Sequence, residues 1–138
     1  MNLRNLLLAF AFIQCVACAD MRANMNIRNH ADGLSTTLDE YGADLRWGRY
    51  RQAYTYHIHH DGTQPQFNLE QLENYSVTSF RPANPVLNSD ATEAVIPVEI
   101  EYYNEQYGMV RKFKDTQKWW FNGKEEKWFT EADFPVFK

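Results

Sequence analysis

The sequence predicts an α+β domain, with N-terminal helices packed on a curved antiparallel sheet. Three observations carry that expectation. Apolar residues recur at helical spacing from Leu34 to Leu72. From Tyr75 onward the period changes to two. An Asn122-Gly123 pair then separates two late strand-like runs, a strong hairpin signal. Helices first and an antiparallel meander after them is the segregation that defines this class. The chain has 138 residues, 44% hydrophobic and 15% aromatic, enough for one core and one domain. Its net charge of −4 offers none of the clustered basic surface that nucleic acid requires. Two cysteines cannot build a disulfide framework.

The first residues read as an export address. Arg4 supplies a positive n-region, Leu6 to Ile13 an apolar h-region, and Ala17 and Ala19 small residues near a cut site. The apolar run is too short to span a bilayer. Cys15-Val16-Ala17-Cys18 resembles a bacterial lipobox, with Cys15 where Leu is usual. The leader is read over 1–18, and the lipobox resemblance implies a cut before Cys18 that leaves it as the lipidated first residue, since two or more acyl chains hold a protein stably on a membrane. Ala17-Cys18-Ala19 also fits ordinary secretion, and an uncleaved anchor is the third reading. Ala19 is not the inner-membrane retention Asp of enteric lipoproteins, which favours the outer membrane, facing the periplasm. Residues 19–33 are polar and Asn-rich and read as a tether with a fraying first helical turn.

The domain is expected over 34–138. Thr36 with Asp39, or Thr37 with Glu40, forms a capping-box pattern. Leu34, Leu38, Tyr41 and Leu45 then share one helical face. Gly48 interrupts, and Tyr50, Ala53, Tyr54, His57 and Ile58 restart a helical stripe. Asp61 to Pro65 is a loop by its breakers. Asn68 can cap a short helix holding Leu69 and Leu72. A strand follows from Tyr75 and ends or bends at Pro82 and Pro85. In the next strand Ala94, Ile96, Val98, Ile100 and Tyr102 share a face, and Pro97 predicts an edge or bulge. A long strand runs from Met109 to Phe121, and a last one carries Lys127 to Thr130.

Helix, break, helix, then long antiparallel strands resembles the nuclear transport factor 2-like (cystatin-like) fold. Leu45-Arg46-Trp47-Gly48-Arg49-Tyr50, Asp115-Thr116-Gln117-Lys118-Trp119, Lys127-Trp128-Phe129 and Phe134-Pro135 are similar to the domain of small uncharacterised proteobacterial lipoproteins. The resemblance implies a cone-shaped domain with a cavity at its open end. That fold hosts enzymes, binding modules and dimerisation domains, so it decides no function.

The long strand carries the candidate site. Val110, Lys112, Lys114, Thr116 and Lys118 form a solvated face; Met109, Arg111, Phe113, Asp115, Gln117, Trp119 and Phe121 face the helices. Arg111 and Asp115 are about 13 Å apart along the strand, so each needs another partner, because buried charge must be paired. One reading makes Tyr54, Arg111, Asp115, Gln117 and Trp119 a polar-aromatic ligand pocket. The other has Asp115 and Gln117 bonding helix ends or Trp and Tyr side chains. His57-Ile58-His59-His60-Asp61 is the one metal-like cluster, but it reads better as a cationic helix end, and no metal is expected. Trp119, Trp120 and Trp128 around the hairpin read as core plus one exposed ring, or as an aromatic contact patch. There is no phosphate loop, nucleophile elbow or mature Cys nucleophile, so no cofactor is expected.

The leading expectation is a non-catalytic envelope lipoprotein that binds a small apolar ligand or a protein partner, with a homodimer through the sheet as one arrangement. The alternatives are an isomerase, dehydratase or cyclase using Asp115 as acid or base with Arg111 or a Tyr as oxyanion donor, and a structural subunit of an envelope assembly.

Overall fold

The computed structural model describes the backbone of residues 3–138 and the side chains of residues 18–138. The residues of the export reading up to Ala17 lie outside the described side chains. The order is α1 (Leu3–Arg46), α2 (Tyr50–Tyr54), α3 (Leu69–Leu72), β1 (Tyr75–Pro82), β2 (Val86–Leu87), β3 (Glu93–Asn104), β4 (Val110–Asn122) and β5 (Lys127–Thr130). The strands form one antiparallel sheet in the order β1-β3-β4-β5, with β2 pairing the far end of β3. The sheet is strongly curled, and α1 packs against it to give a cone, the α+β architecture expected. Among the described residues, no helix is long and apolar enough to cross a membrane.

The segment 20–33, expected as a tether, is instead part of one unbroken helix. The cause is a stripe that starts earlier than Leu34. Ile27, His30 and Ala31 are half-buried and lead on the same face into buried Leu34 and Leu38. The His30 ring lies 4.1 Å from the Phe121 ring, and Trp128 Nε1 donates to the His30 carbonyl at 3.0 Å. Thr36 and Thr37 are therefore not caps. Their hydroxyls donate to the carbonyls of Asp32 and Gly33, four residues back, at 3.2 and 2.9 Å. From Cys18 to Ala23 the helix is exposed, standing clear of the sheet.

The strands follow their alternation. Ala94, Ile96, Val98, Ile100 and Tyr102 are all buried against the helix. On the opposite face Arg81 pairs with Glu101, Lys112 bridges Glu99 and Glu101, and Lys114 reaches Glu99. Exposed ladders of this kind hold the face in water and add little stability. Pro97 lies in an interior strand, not at an edge. Its carbonyl accepts from Ala83 N at 2.8 Å, so its nitrogen points to the same flank, where the partner strand breaks between β1 and β2. The missing donor costs nothing there. Asn68 caps α3, its Oδ1 accepting from Gln71 N. The Asn122-Gly123 hairpin forms with a four-residue turn over 123–126, Glu126 taking φ 52°.

One glycine decides how closely α1 approaches the sheet. A Cβ on Gly42 would sit 2.6 Å from Phe80 Cδ1. Only a residue without a side chain lets the helix lie on β1 at this point.

Candidate functional site

The interior of the cone is filled. Tyr41 and Leu45 of α1, Ile96 and Ile100 of β3, and Gln117 of β4 are fully buried, and Trp119 is 1% exposed. No water-sized space, open or closed, touches Tyr41 or Gln117 at zero exposure. Around Tyr41, the rings of Trp119, Phe80, His57 and Tyr56 lie at 5.3–5.9 Å, mostly edge to face.

The polar groups at this centre bond one another. His57, in a single bridge to Thr130, has its Nδ1 2.7 Å from the Ala132 carbonyl and its Nε2 3.1 Å from the Tyr41 hydroxyl. A carbonyl only accepts, so these partners assign the proton to Nδ1, and the Tyr41 hydroxyl donates to Nε2. Burial pushes the His57 pKa down to about 4, against the opposing pull of the Ala132 bond. The imidazole is therefore neutral near pH 7. Burial likewise pushes the Tyr41 hydroxyl well above its ordinary value, with the nearby Gln117 amide opposing and the Asp115 charge adding to the rise. Trp119 Nε1 donates to Gln117 Oε1 at 3.1 Å, which fixes the amide's orientation. Its Nε2 is left without a well-placed partner, at a cost of roughly 1–3 kcal/mol.

Of the five residues of the sequence-derived pocket, only Gln117 and Trp119 come together. The Tyr54 hydroxyl donates to the Pro65 carbonyl at 2.7 Å, and its ring stacks on Phe67. Arg111 is exposed, donating to the Lys138 carbonyl at 2.7 Å. Asp115 is half-buried and accepts from its neighbour's amide, Thr116 N, at 2.7 Å; it borders a shallow outer groove with Arg81, Glu99 and Lys114. The histidines also separate. His57 is interior, His59 Nδ1 meets the Thr63 hydroxyl, and His60 binds Glu131 while stacking on Trp120. Among the described residues, no group of three His, Cys, Asp or Glu side chains could hold a metal ion. Trp119 and Trp128 are core; Trp120 is partly covered and donates to the Ile58 carbonyl.

The site that sequence reasoning missed lies at the far end of α1. A groove of about 590 Å³ runs between the α1–α2 turn and the first residues of β1. Gly48 makes the turn possible with φ 67°. Beside it Trp47 projects 74% exposed. Arg46, Arg49 and Arg51 line the groove together with Glu73, Tyr75, Ser76, Val77 and Glu105. Arg49 is tied to Asp44 at 2.7 Å, and Glu105 accepts from the Ser76 hydroxyl at 2.7 Å. Arg46 and Arg51 make no ion pair among the described residues. The floor is fixed: the Tyr50 hydroxyl donates to the Tyr75 carbonyl, and burial, helped by Glu105, pushes its pKa up to about 12. The β3–β4 turn starts at Glu105 of this groove and carries Tyr107 and Met109 at 77% and 61% exposure, with Val110 at the start of β4 at 59%.

No family model, curated protein or solved structure matches the chain. What it can do chemically therefore rests on these two regions. At the filled centre Tyr41, His57 and Trp119 are bonded within the chain, Gln117 Nε2 alone lacks a partner, and Tyr41 and Gln117 have no exposed surface. The groove end has the exposed Trp47 and, among the described residues, two guanidinium groups outside any ion pair, with Glu73 and Glu105 in the same lining.

Proposed function

We propose that the chain is a lipid-anchored envelope protein whose domain is a non-catalytic binding module for a protein partner. The filled cone carries this reading. A cavity enzyme of this architecture needs a reacting group that touches a substrate, and the groups at the centre are shut from water. The lipoprotein part rests on the Cys15–Cys18 pattern. It is supported by Cys18 being an exposed, free thiol on the stretch of α1 that stands clear of the sheet. On this reading the chain belongs with nuclear transport factor 2-like lipoproteins of the proteobacterial envelope, on the outer membrane and facing the periplasm.

The test is palmitate labelling with membrane fractionation. Wild type is expected to be labelled and to sediment with membranes, and Cys18→Ser to lose both. A wild-type protein that is soluble and unlabelled would overturn the anchor. Light scattering of the detergent-solubilised chain tests the homodimer through the sheet separately.

A further inference from the structure

We propose that the open edge of β4 pairs with the same edge of a second copy of this chain, antiparallel about a two-fold axis at Phe113, with Arg111 of each copy against Asp115 of the other. The proposal goes beyond the binding module above and does not depend on its lipid anchor.

The edge follows from the ladder. β3 pairs one side of β4 from Val110 to Trp120, whereas β5 pairs the other side only from Trp119 to Asn122. One further backbone bond lies on that side, from Glu131 N to the Lys118 carbonyl at 2.9 Å. The chain then leaves the ladder and sends Phe134 and Phe137 into the core. Lys118 thus turns its backbone away from β3, and alternation by two turns Thr116, Lys114, Lys112 and Val110 the same way. Among the described residues, no backbone group bonds these four on that side, and all four are exposed. Asp115 marks the opening. Its carboxylate accepts from Thr116 N at 2.7 Å, where a neighbouring strand would otherwise bond. An unpaired edge is a template for another strand.

The side chains name the occupant. A second copy added antiparallel must set outward-turned residues opposite outward-turned residues. With the axis at Phe113, the midpoint of 110–116, Val110 meets Thr116 and Lys112 meets Lys114, and these pairs exchange backbone bonds. The pairs between them are the close ones, about 4.5 Å between Cα atoms. There Phe113 meets its own copy, and Arg111 meets Asp115 on both sides of the axis. Within one strand Arg111 and Asp115 lie about 13 Å apart, and neither is in an ion pair among the described residues. Sliding the register by two, the smallest shift that keeps the backbone match, sets Lys112 or Lys114 against itself and separates Arg111 from Asp115. The axis at Phe113 does oppose Lys112 to Lys114, but Glu99 and Glu101 already hold these lysines on the outer face. The edge is therefore its own complement, which is the condition for a closed two-fold dimer. The product is one continuous sheet across two copies.

The test is sedimentation equilibrium of the full chain in density-matched detergent, with micelles in excess. The wild-type mass is expected to rise with concentration to that of a dimer. Arg111→Asp sets acid against acid and Asp115→Arg sets base against base, so each alone should weaken the dimer by about tenfold or more. An equimolar mixture of the two variants should dimerise again, because each then supplies the charge that the other lacks. A chain carrying both substitutions should dimerise by itself. Val95→Lys, on the outer face at 39% exposure, and Cys18→Ser should both dimerise like wild type. Circular dichroism and melting of each variant guard against unfolding, and recovery in the mixture does so independently. A wild type that is monomeric at every concentration, single variants that dimerise like wild type, or a mixture that stays monomeric would overturn the proposal. So would a dimer lost in Val95→Lys, because the copies would then pack face to face, or one lost in Cys18→Ser, because the acyl chains would then hold it. A dimer that persists in Cys18→Ser stands whether or not the chain is lipidated, so failure here and failure of the anchor are read separately.

Discussion

The centre of the cone and the groove at the end of α1 contain similar residue types. Each has a tryptophan, tyrosines and polar side chains, yet their accounting is opposite. At the centre, the Trp119 indole, the Tyr41 hydroxyl and the His57 ring all find partners within the chain. At the groove, among the described residues, the Trp47 ring and the Arg46 and Arg51 guanidiniums find none. Buried polar groups without partners are costly, which is why natural interiors satisfy them. Exposed ones are cheap to leave open, so a cluster of them persists without harming the fold. Aromatic richness alone does not separate core from surface in this chain; partner satisfaction does so for these groups, with the Gln117 Nε2 as the buried exception.

The contrast can be broken by substitution, and the largest effect belongs to the centre. Trp119→Ala removes the ring that packs against Tyr41 and should cost about 3–5 kcal/mol, measured by urea unfolding. A loss below about 1 kcal/mol, close to that of a surface change, would mean the centre is looser than the zero exposures imply.

Next comes acid. The folded His57 has a pKa of about 4 against an ordinary 6.5. Below pH 6.5 the unfolded chain takes up a proton that the folded chain refuses, so stability falls as pH drops, by about 3 kcal/mol near pH 4. Glu99, Glu101 and Glu131 have pKa values held below 4.5 by lysine, arginine and His60 partners, and their loss begins only below that value. Denaturation between pH 4.5 and 6.5 therefore isolates His57, and His57→Gln should flatten the slope in that window while lowering stability at pH 7.

Gly42→Ala is the third test. Alanine favours a helix by up to about 1 kcal/mol, yet here the new Cβ meets Phe80. A net cost of about 1–3 kcal/mol is expected, and a stabilised variant would show that α1 can lift off β1 without penalty.

Trp47→Ala sharpens the comparison from the other side. Removing so large but exposed a ring should change stability by under about 0.5 kcal/mol in urea unfolding. Smallest of all is Glu99→Gln on the outer ladder, whose melting shift should vanish at high salt.

Much of the fold was legible because strand alternation is a local signal. Ile96, Val98 and Ile100 announce their face by position alone, and Gln117 and Trp119 were placed on the inner face of their strand by the same reasoning. Helix α1 upstream of Leu34 was not legible. Its stripe there is only Ile27, His30 and Ala31, diluted by asparagines, and what holds it is Phe121 and Trp128 from the other end of the chain. β2 was too short to show a period. Tyr54, Arg111 and Asp115 scattered because their partners, Pro65, Lys138 and Thr116, are backbone atoms that side-chain chemistry does not announce. The groove was hidden in plain spelling. Arg46-Trp47-Gly48-Arg49 reads as a helix break, and only tertiary packing against Tyr75–Val77 turns it into a surface.

The bonds from Trp128 to His30 and from His57 to Ala132, spanning 98 and 75 residues, also say something about time. Trp128 of β5 donates to the α1 backbone at His30, so the apolar stripe of α1 has no finished cover until β5 has left the ribosome. Contacts of such sequence separation make folding slow. The growing chain must carry a long helix with one naked face throughout synthesis, which leaves a lengthy interval in which a chaperone can hold it unfolded.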